Sequence, residues 1–116
     1  MSEKTIFSRI IDGEIPSQFI YQDELCVCVK DIAPQAPVHL LIIPRKPIPR
    51  LADATAEDKA ILGHLMWAAG EIARQQGVDE AFRLIVNNGA GAGQTVFHLH
   101  LHLMAQKQFH EGHMWE

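Results

Sequence analysis

Three histidines alternate with three leucines in His98-Leu99-His100-Leu101-His102-Leu103. On a β-strand successive side chains point to opposite faces. The alternation therefore predicts His98, His100 and His102 on one face, with rings roughly 6.5–7 Å apart, and the leucines on the other. Three chemistries fit such a row of imidazoles. Two histidines at i and i+2 on a strand can ligate zinc, although no acidic ligand or cysteine cluster lies near them in sequence. A purely structural ladder needs a partner for every buried ring nitrogen, and close imidazoles cannot all be charged. The third is nucleophilic catalysis. An imidazole with an unperturbed pKa near ~6.5 is largely neutral at pH 7 and can attack phosphorus, while its neighbours bind phosphoryl oxygens and protonate a leaving group. Spacing alone leaves these readings open.

Other polar residues stand where they could serve such a site. Residues 87–95 form a loop with glycines at 89, 91 and 93, which delivers Gln94 and Thr95 to the start of the histidine strand. Glycines there let backbone N–H groups approach an anion. The spacing is no dinucleotide fingerprint, because it leads into a strand and not a helix. Asp31 precedes a loop fixed by Pro34 and Pro37. It reads equally as a turn cap or as an acceptor for ribose hydroxyls. His39 opens the next strand, either as a structural residue or as a partner of the cluster.

The positioning elements follow from periodicity. Ile6, Phe7, Ile10 and Ile11 predict a short helix over residues 5–11, ended at Asp12-Gly13. Residues 19–21 and 25–29 read as a hairpin, and 38–43 as a third strand ended by Pro44. Residues 45–50 look like a solvated connector. Thr55, with Glu57 and Asp58 behind it, starts a long helix over 55–76, with one apolar stripe and a stop at Gly77. His64 and Trp67 on it read as surface and packing residues. Residues 82–86 and 96–104 supply the last two strands, and 105–116 form a tail without period. The expected fold is α+β: a five-stranded antiparallel sheet with one short and one long helix.

Composition sets the bounds. The chain has 116 residues, 47% of them apolar, and a formal net charge of -4. That length fits one domain over residues 1–116, and that charge argues against a nucleic-acid partner. Cys26 and Cys28 lie two apart on one strand, poorly placed to bridge, and read as reduced core thiols. No signal-like run opens the sequence, and no stretch reaches the ~20 apolar residues of a membrane span. The expectation is a cytoplasmic protein without membrane contact.

These residues carry a resemblance. His98 to Met104 is similar to the motif of the histidine triad (HIT) superfamily. The segments Thr5-Ile6-Phe7, Glu14-Ile15-Pro16, Asp31-Ile32-Ala33-Pro34-Gln35-Ala36-Pro37-Val38-His39 and Arg83-Leu84-Ile85-Val86-Asn87 look like its Hint branch. The resemblance covers residues 5–104 and leaves 105–116 as a divergent tail. It implies a purine nucleoside phosphoramidase that cleaves the P–N bond of AMP-amine compounds through a nucleotidyl-histidine, with no metal or other cofactor. A nucleotide-binding regulatory module with slow or no hydrolysis is the alternative. By resemblance His100 is the nucleophile, and His102 contacts phosphate and leaving group. His98 orients the nucleophile, partly through its carbonyl, with His39 linked behind it. Asp31 and Ile32 match ribose and nucleoside contacts; Asn87, Gly93, Gln94 and Thr95 match the ribose and phosphate side. The chain departs from the pattern at Val29-Lys30, where relatives carry an aromatic and a histidine, and at Ala105-Gln106, where a Gly-Gly pair is common. A homodimer with one continuous sheet is also implied, with Trp115 a candidate to reach the partner's site.

Overall fold

The computed structural model describes residues 4–113. A six-residue helix α1 (Ile6–Ile11) is followed by strands β1 (Tyr21–Gln22), β2 (Cys26–Lys30) and β3 (Val38–Pro44). Helix α2 (Lys59–Gln75), β4 (Phe82–Ile85) and β5 (Leu101–Ala105) complete the order. The five strands form one sheet in the order β1-β2-β3-β5-β4, with every pairing antiparallel. The expected α+β architecture is the one observed.

Alternation along the strands divides the core into two layers. Cys26, Cys28, Leu40, Ile42, Leu101 and Leu103 cluster with Leu65, Ala69 and Ile72 of α2. On the other face Val27, Val29, Leu41 and Ile43 cluster with Phe7 of α1. Both cysteines are free and buried against α2. Burial pushes each thiol up to about 12, so they are neutral apolar fillers.

The helices obey their end signals. The Thr5 hydroxyl accepts the Ser8 amide at 3.1 Å and caps α1. The long helix starts later than Thr55, after a single 3-10 turn over Ala56–Asp58. There the Asp58 carboxylate accepts the Thr55 amide at 2.9 Å and also holds the Lys46 ammonium at 2.5 Å. Gly77, at φ 72°, ends it in the left-handed region. Residues 45–50 are thus more than a solvated connector: Lys46 ties them to the helix entry, Ile48 is buried, and its carbonyl accepts the Leu99 amide at 2.7 Å.

The last strand is shorter than the His-Leu alternation predicts. It spans Leu101–Ala105, and residues 96–100 run outside the ladder. Beyond the Ile42–Leu101 pair the Pro44 carbonyl is bonded by the His98 ring at 2.7 Å. Leu99 meanwhile donates its amide to Ile48. Side chains still alternate there, with Leu99 in the α2 core, but the backbone has left the sheet. After β5, Gln106 adopts φ 61°. A glycine takes that conformation without steric cost, so Gln106 places a side chain where the backbone favours glycine. Trp115 lies outside the described residues.

Candidate active site

The α1 face of the sheet gathers four imidazoles and one carboxylate. Leu41 pairs with His102, and His39 with Met104, so His39 and His102 are diagonal neighbours on that face. Their ring centroids lie 5.1 Å apart, and His100 sits 5.0 Å from His102. The 5.0 Å between His100 and His102 is tighter than the spacing expected along an extended strand. The Phe7 ring of α1 meets His100 edge-on at 4.9 Å. His100 is only 8% exposed.

Partner geometry fixes which nitrogen of each ring carries a proton. His100 Nδ1 lies 2.8 Å from the His98 carbonyl oxygen. A carbonyl can only accept, so Nδ1 donates and Nε2 keeps its lone pair. The Gln35 amide donates to His39 Nδ1 at 2.9 Å, which puts the His39 proton on Nε2. That N–H donates to His102 Nδ1 at 2.9 Å and leaves the His102 proton on Nε2. The neutral set is thus one ring with a bare Nε2 beside one ring with an Nε2–H.

His98 is fully buried behind this pair. Its Nε2 donates to the Pro44 carbonyl at 2.7 Å, and its Nδ1 lies 3.3 Å from Ser8 Oγ and 3.4 Å from Thr5 Oγ1. Those hydroxyls are the available donors to Nδ1. The expected linkage of His39 behind His98 is not observed. The antiparallel register carries the β3 end that holds Pro44 toward His98, and carries His39 to the far end beside His102.

Burial favours the neutral form of His39, His98 and His102. It pushes His102 down to about 4, with the neighbouring His100 and His39 adding to the effect. Burial also lowers His39 and His98; nearby Asp31 opposes the shift at His39.

Asp31 is the turn cap that one of its two sequence readings expected, and it also faces the imidazoles. Its Oδ1 accepts the Ala33 amide at 2.8 Å, a turn cap, while Oδ2 lies 3.4 Å from His39 Nε2 and 3.9 Å from His102 Nδ1. Donor atoms of Asp31, His39 and His102 all fall within 4.8 Å of one another, a set able to hold a metal ion. The lack of an acid near the triad in sequence therefore does not hold in space. In this arrangement the two imidazoles bond each other instead.

The glycine loop arrives differently from the expectation. Gly93 takes φ 96°, and Gln94 is 3% exposed, its side chain turned inward. Gln94 Oε1 accepts the Gly89 amide at 2.8 Å, and Nε2 donates to the Pro49 and Val96 carbonyls at 2.8 and 3.0 Å. Its amide shapes the loop and does not point at the histidines. Asn87 is half-buried beside Gly93, Thr95 is exposed, and Ile32 is 98% exposed. Sequence reasoning missed the contributions of Thr5, Ser8, Phe7 and the Gln35 amide. In sequence Thr5 only opens the short helix; nothing there links residues 5–8 to residue 98.

This geometry has counterparts among known proteins. A HIT domain matches residues 12–109. An uncharacterized HIT-like protein of Synechocystis is 56% identical over 109 residues, covering 94% of this chain and 96% of its own length. The purine nucleoside phosphoramidase of Escherichia coli K12 is 48% identical over 105 residues, covering 90% and 88%. Among solved structures, a HIT family hydrolase from Legionella pneumophila superposes with a TM-score of 0.89 at 38% identity, covering 93% of this chain and 97% of that one. The four-imidazole cluster is thus carried on a fold and sequence shared with HIT hydrolases, and the chain belongs to the HIT domain family.

Proposed function

We propose that this HIT-family hydrolase is a purine nucleoside phosphoramidase acting on AMP-amine substrates. The observation that carries the reading is the 2.8 Å bond from His100 Nδ1 to the His98 carbonyl, which leaves Nε2 as a lone-pair nucleophile. In the proposed reaction His100 Nε2 attacks the α-phosphorus and the P–N bond breaks. The amine leaves with a proton, giving a nucleotidyl-histidine that water then hydrolyses. His102 presents its Nε2–H to the phosphoryl oxygen and leaving nitrogen. The anionic substrate raises the proton affinity of His102 when bound, so the acid is recruited by the group it serves. His39 holds the His102 tautomer and Asp31 the ribose. Ile32 is the exposed apolar surface for the nucleoside. Gly93, Thr95 and Asn87 line the phosphate side, and Gln94 holds their loop. No step calls for a metal or other cofactor.

The assembly we propose is a homodimer with a continuous sheet. Support comes from β4, the terminal strand of the sheet, and from Met66 and Trp67 of α2, 61% and 55% exposed. Neighbouring sheet edges and apolar side chains are surfaces that proteins usually cover. No helix among the described residues is long and apolar enough to cross a membrane. The two buried free thiols suit a reducing compartment, which we take to be the cytoplasm.

Four outcomes are expected. His100→Ala loses kcat/KM on a fluorogenic adenosine phosphoramidate by roughly a thousandfold or more. Retention of a tenth of the activity would exclude the nucleophile assignment. The variant also vacates the Phe7 contact, so its fold is checked by circular dichroism. Asp31→Ala weakens AMP relative to a 2′,3′-dideoxy analogue by about 1.5–3 kcal/mol in calorimetry; equal losses would reduce Asp31 to a turn residue. Stability depends on pH with a fixed sign. A histidine near 6.5 when unfolded and about 4 when folded leaves the unfolded state with more protons between those values. Urea midpoints therefore fall as pH drops from 6.5 toward 4, by up to roughly 1.4 kcal/mol per pH unit for this one group. His102→Asn flattens that dependence, and an unchanged slope would point to another group. Finally, light scattering at micromolar concentration reads about twice the 13.0 kDa chain mass; a fully active monomer would refute the dimer.

A further inference from the structure

The opposite face of the sheet carries a second convergence of metal-binding side chains. Asp23 in the β1–β2 turn, Cys26 at the start of β2 and His64 on α2 bring a carboxylate oxygen, a thiol sulfur and a ring nitrogen within 4.8 Å of one another. Asp23 divides its two oxygens between different tasks. Oδ1 accepts the amides of Leu25 and Cys26 at 2.8 and 2.9 Å, which is all the turn requires. Oδ2 faces Tyr21 Oη at 2.7 Å and His64 Nε2 at 2.6 Å. Arg45 Nε donates to the Asp23 carbonyl at 2.9 Å and fixes the turn from behind. The donors therefore come from a braced hairpin and a packed helix, and their separation does not depend on loose chain.

We propose that Asp23, Cys26 and His64 form a binding site for a zinc-class divalent transition metal, separate from the histidine cluster. One thiolate, one imidazole and one carboxylate suit zinc or cobalt, whereas magnesium and calcium take all-oxygen sites. Asp23 and His64 are partly exposed while Cys26 is buried. The ion thus seats against the sulfur and keeps a fourth position open to water. Binding releases the Cys26 thiol proton to solvent, and the His64 proton moves from Nε2 to Nδ1. Carboxylate, thiolate and dication then sum to zero charge. Coordination deprotonates the thiol directly. The Tyr21 hydroxyl remains on the carboxylate and orients it. Such an ion joins α2 to the β1–β2 hairpin, on the side of the sheet away from the chemistry.

Cobalt(II) titrated into the full chain tests the assignment, because a thiolate ligand adds a charge-transfer band in the near ultraviolet. The other three-donor group, Asp31, His39 and His102, contains no sulfur and is silent in that band. The expected result is one equivalent of cobalt with the band present, competed by zinc. His64→Gln weakens it by about tenfold or more, Cys26→Ser abolishes it, and His39→Ala leaves it intact. Absence of the band in the parent chain overturns the proposal. So does a band unchanged in His64→Gln, or one that persists in a folded Cys26→Ser and so belongs to Cys28. Because Cys26 is a core position, circular dichroism accompanies that variant. The partly exposed His64→Gln decides the matter if Cys26→Ser fails to fold.

Discussion

A single backbone carbonyl, that of His98, governs the chemistry of the site. Imidazole has two nitrogens of nearly equal basicity, and in water the proton visits both. Here the carbonyl sits 2.8 Å from His100 Nδ1 and can only accept, so Nε2 is left bare. The carbonyl is useful only if its own residue is immobile. His98 is held through its ring to the Pro44 carbonyl on one side and to the cap of α1 on the other. Two core clusters in turn hold those anchors at their separation.

The surrounding polarity follows from the same need. A charged imidazole beside another is unfavourable, and burial makes it more so. Neutral rings avoid the conflict: His39 donates to the His102 ring, while His98 and His100 donate to the Pro44 and His98 carbonyls. No buried side-chain nitrogen or oxygen lacks a hydrogen-bond partner among the described residues. The outcome is a cluster that carries little charge of its own and responds to the charge of what enters it. Asp31 supplies a nearby negative group without closing the site, because one oxygen is engaged by the Ala33 amide.

Much of this was legible in sequence where one-dimensional period and three-dimensional spacing coincide. The strands of residues 26–44 and the stripe of α2 read directly, because burial on alternate or helical positions leaves its period in the chain. The His-Leu alternation read too long. Side chains keep alternating in extended chain whether or not the backbone is paired, so period could not see the ladder end after Ile42 and Leu101. The partnership of His39 depends on register between β3 and β5, which no local signal encodes. Gln94 shows a different gap: its residue type suits either a ligand or a loop brace, and only its burial decides. Asp31 allowed two readings in sequence, and its two oxygens take different neighbours.

The dependence of His98 on Thr5 and Ser8 makes the beginning of the chain a tuning element for its far end. Two hydroxyl-bearing residues, ninety and ninety-three positions away, are the donors within reach of the ring whose own carbonyl His100 engages. A substitution in the first turn of α1 therefore reaches the histidine cluster as well as the helix. Exchanging the α1 cap for another helix-starting residue of equal quality would preserve the helix and still change the hydrogen bonds open to His98. Sequence drift in that first turn is, for this architecture, drift in the surroundings of a buried imidazole.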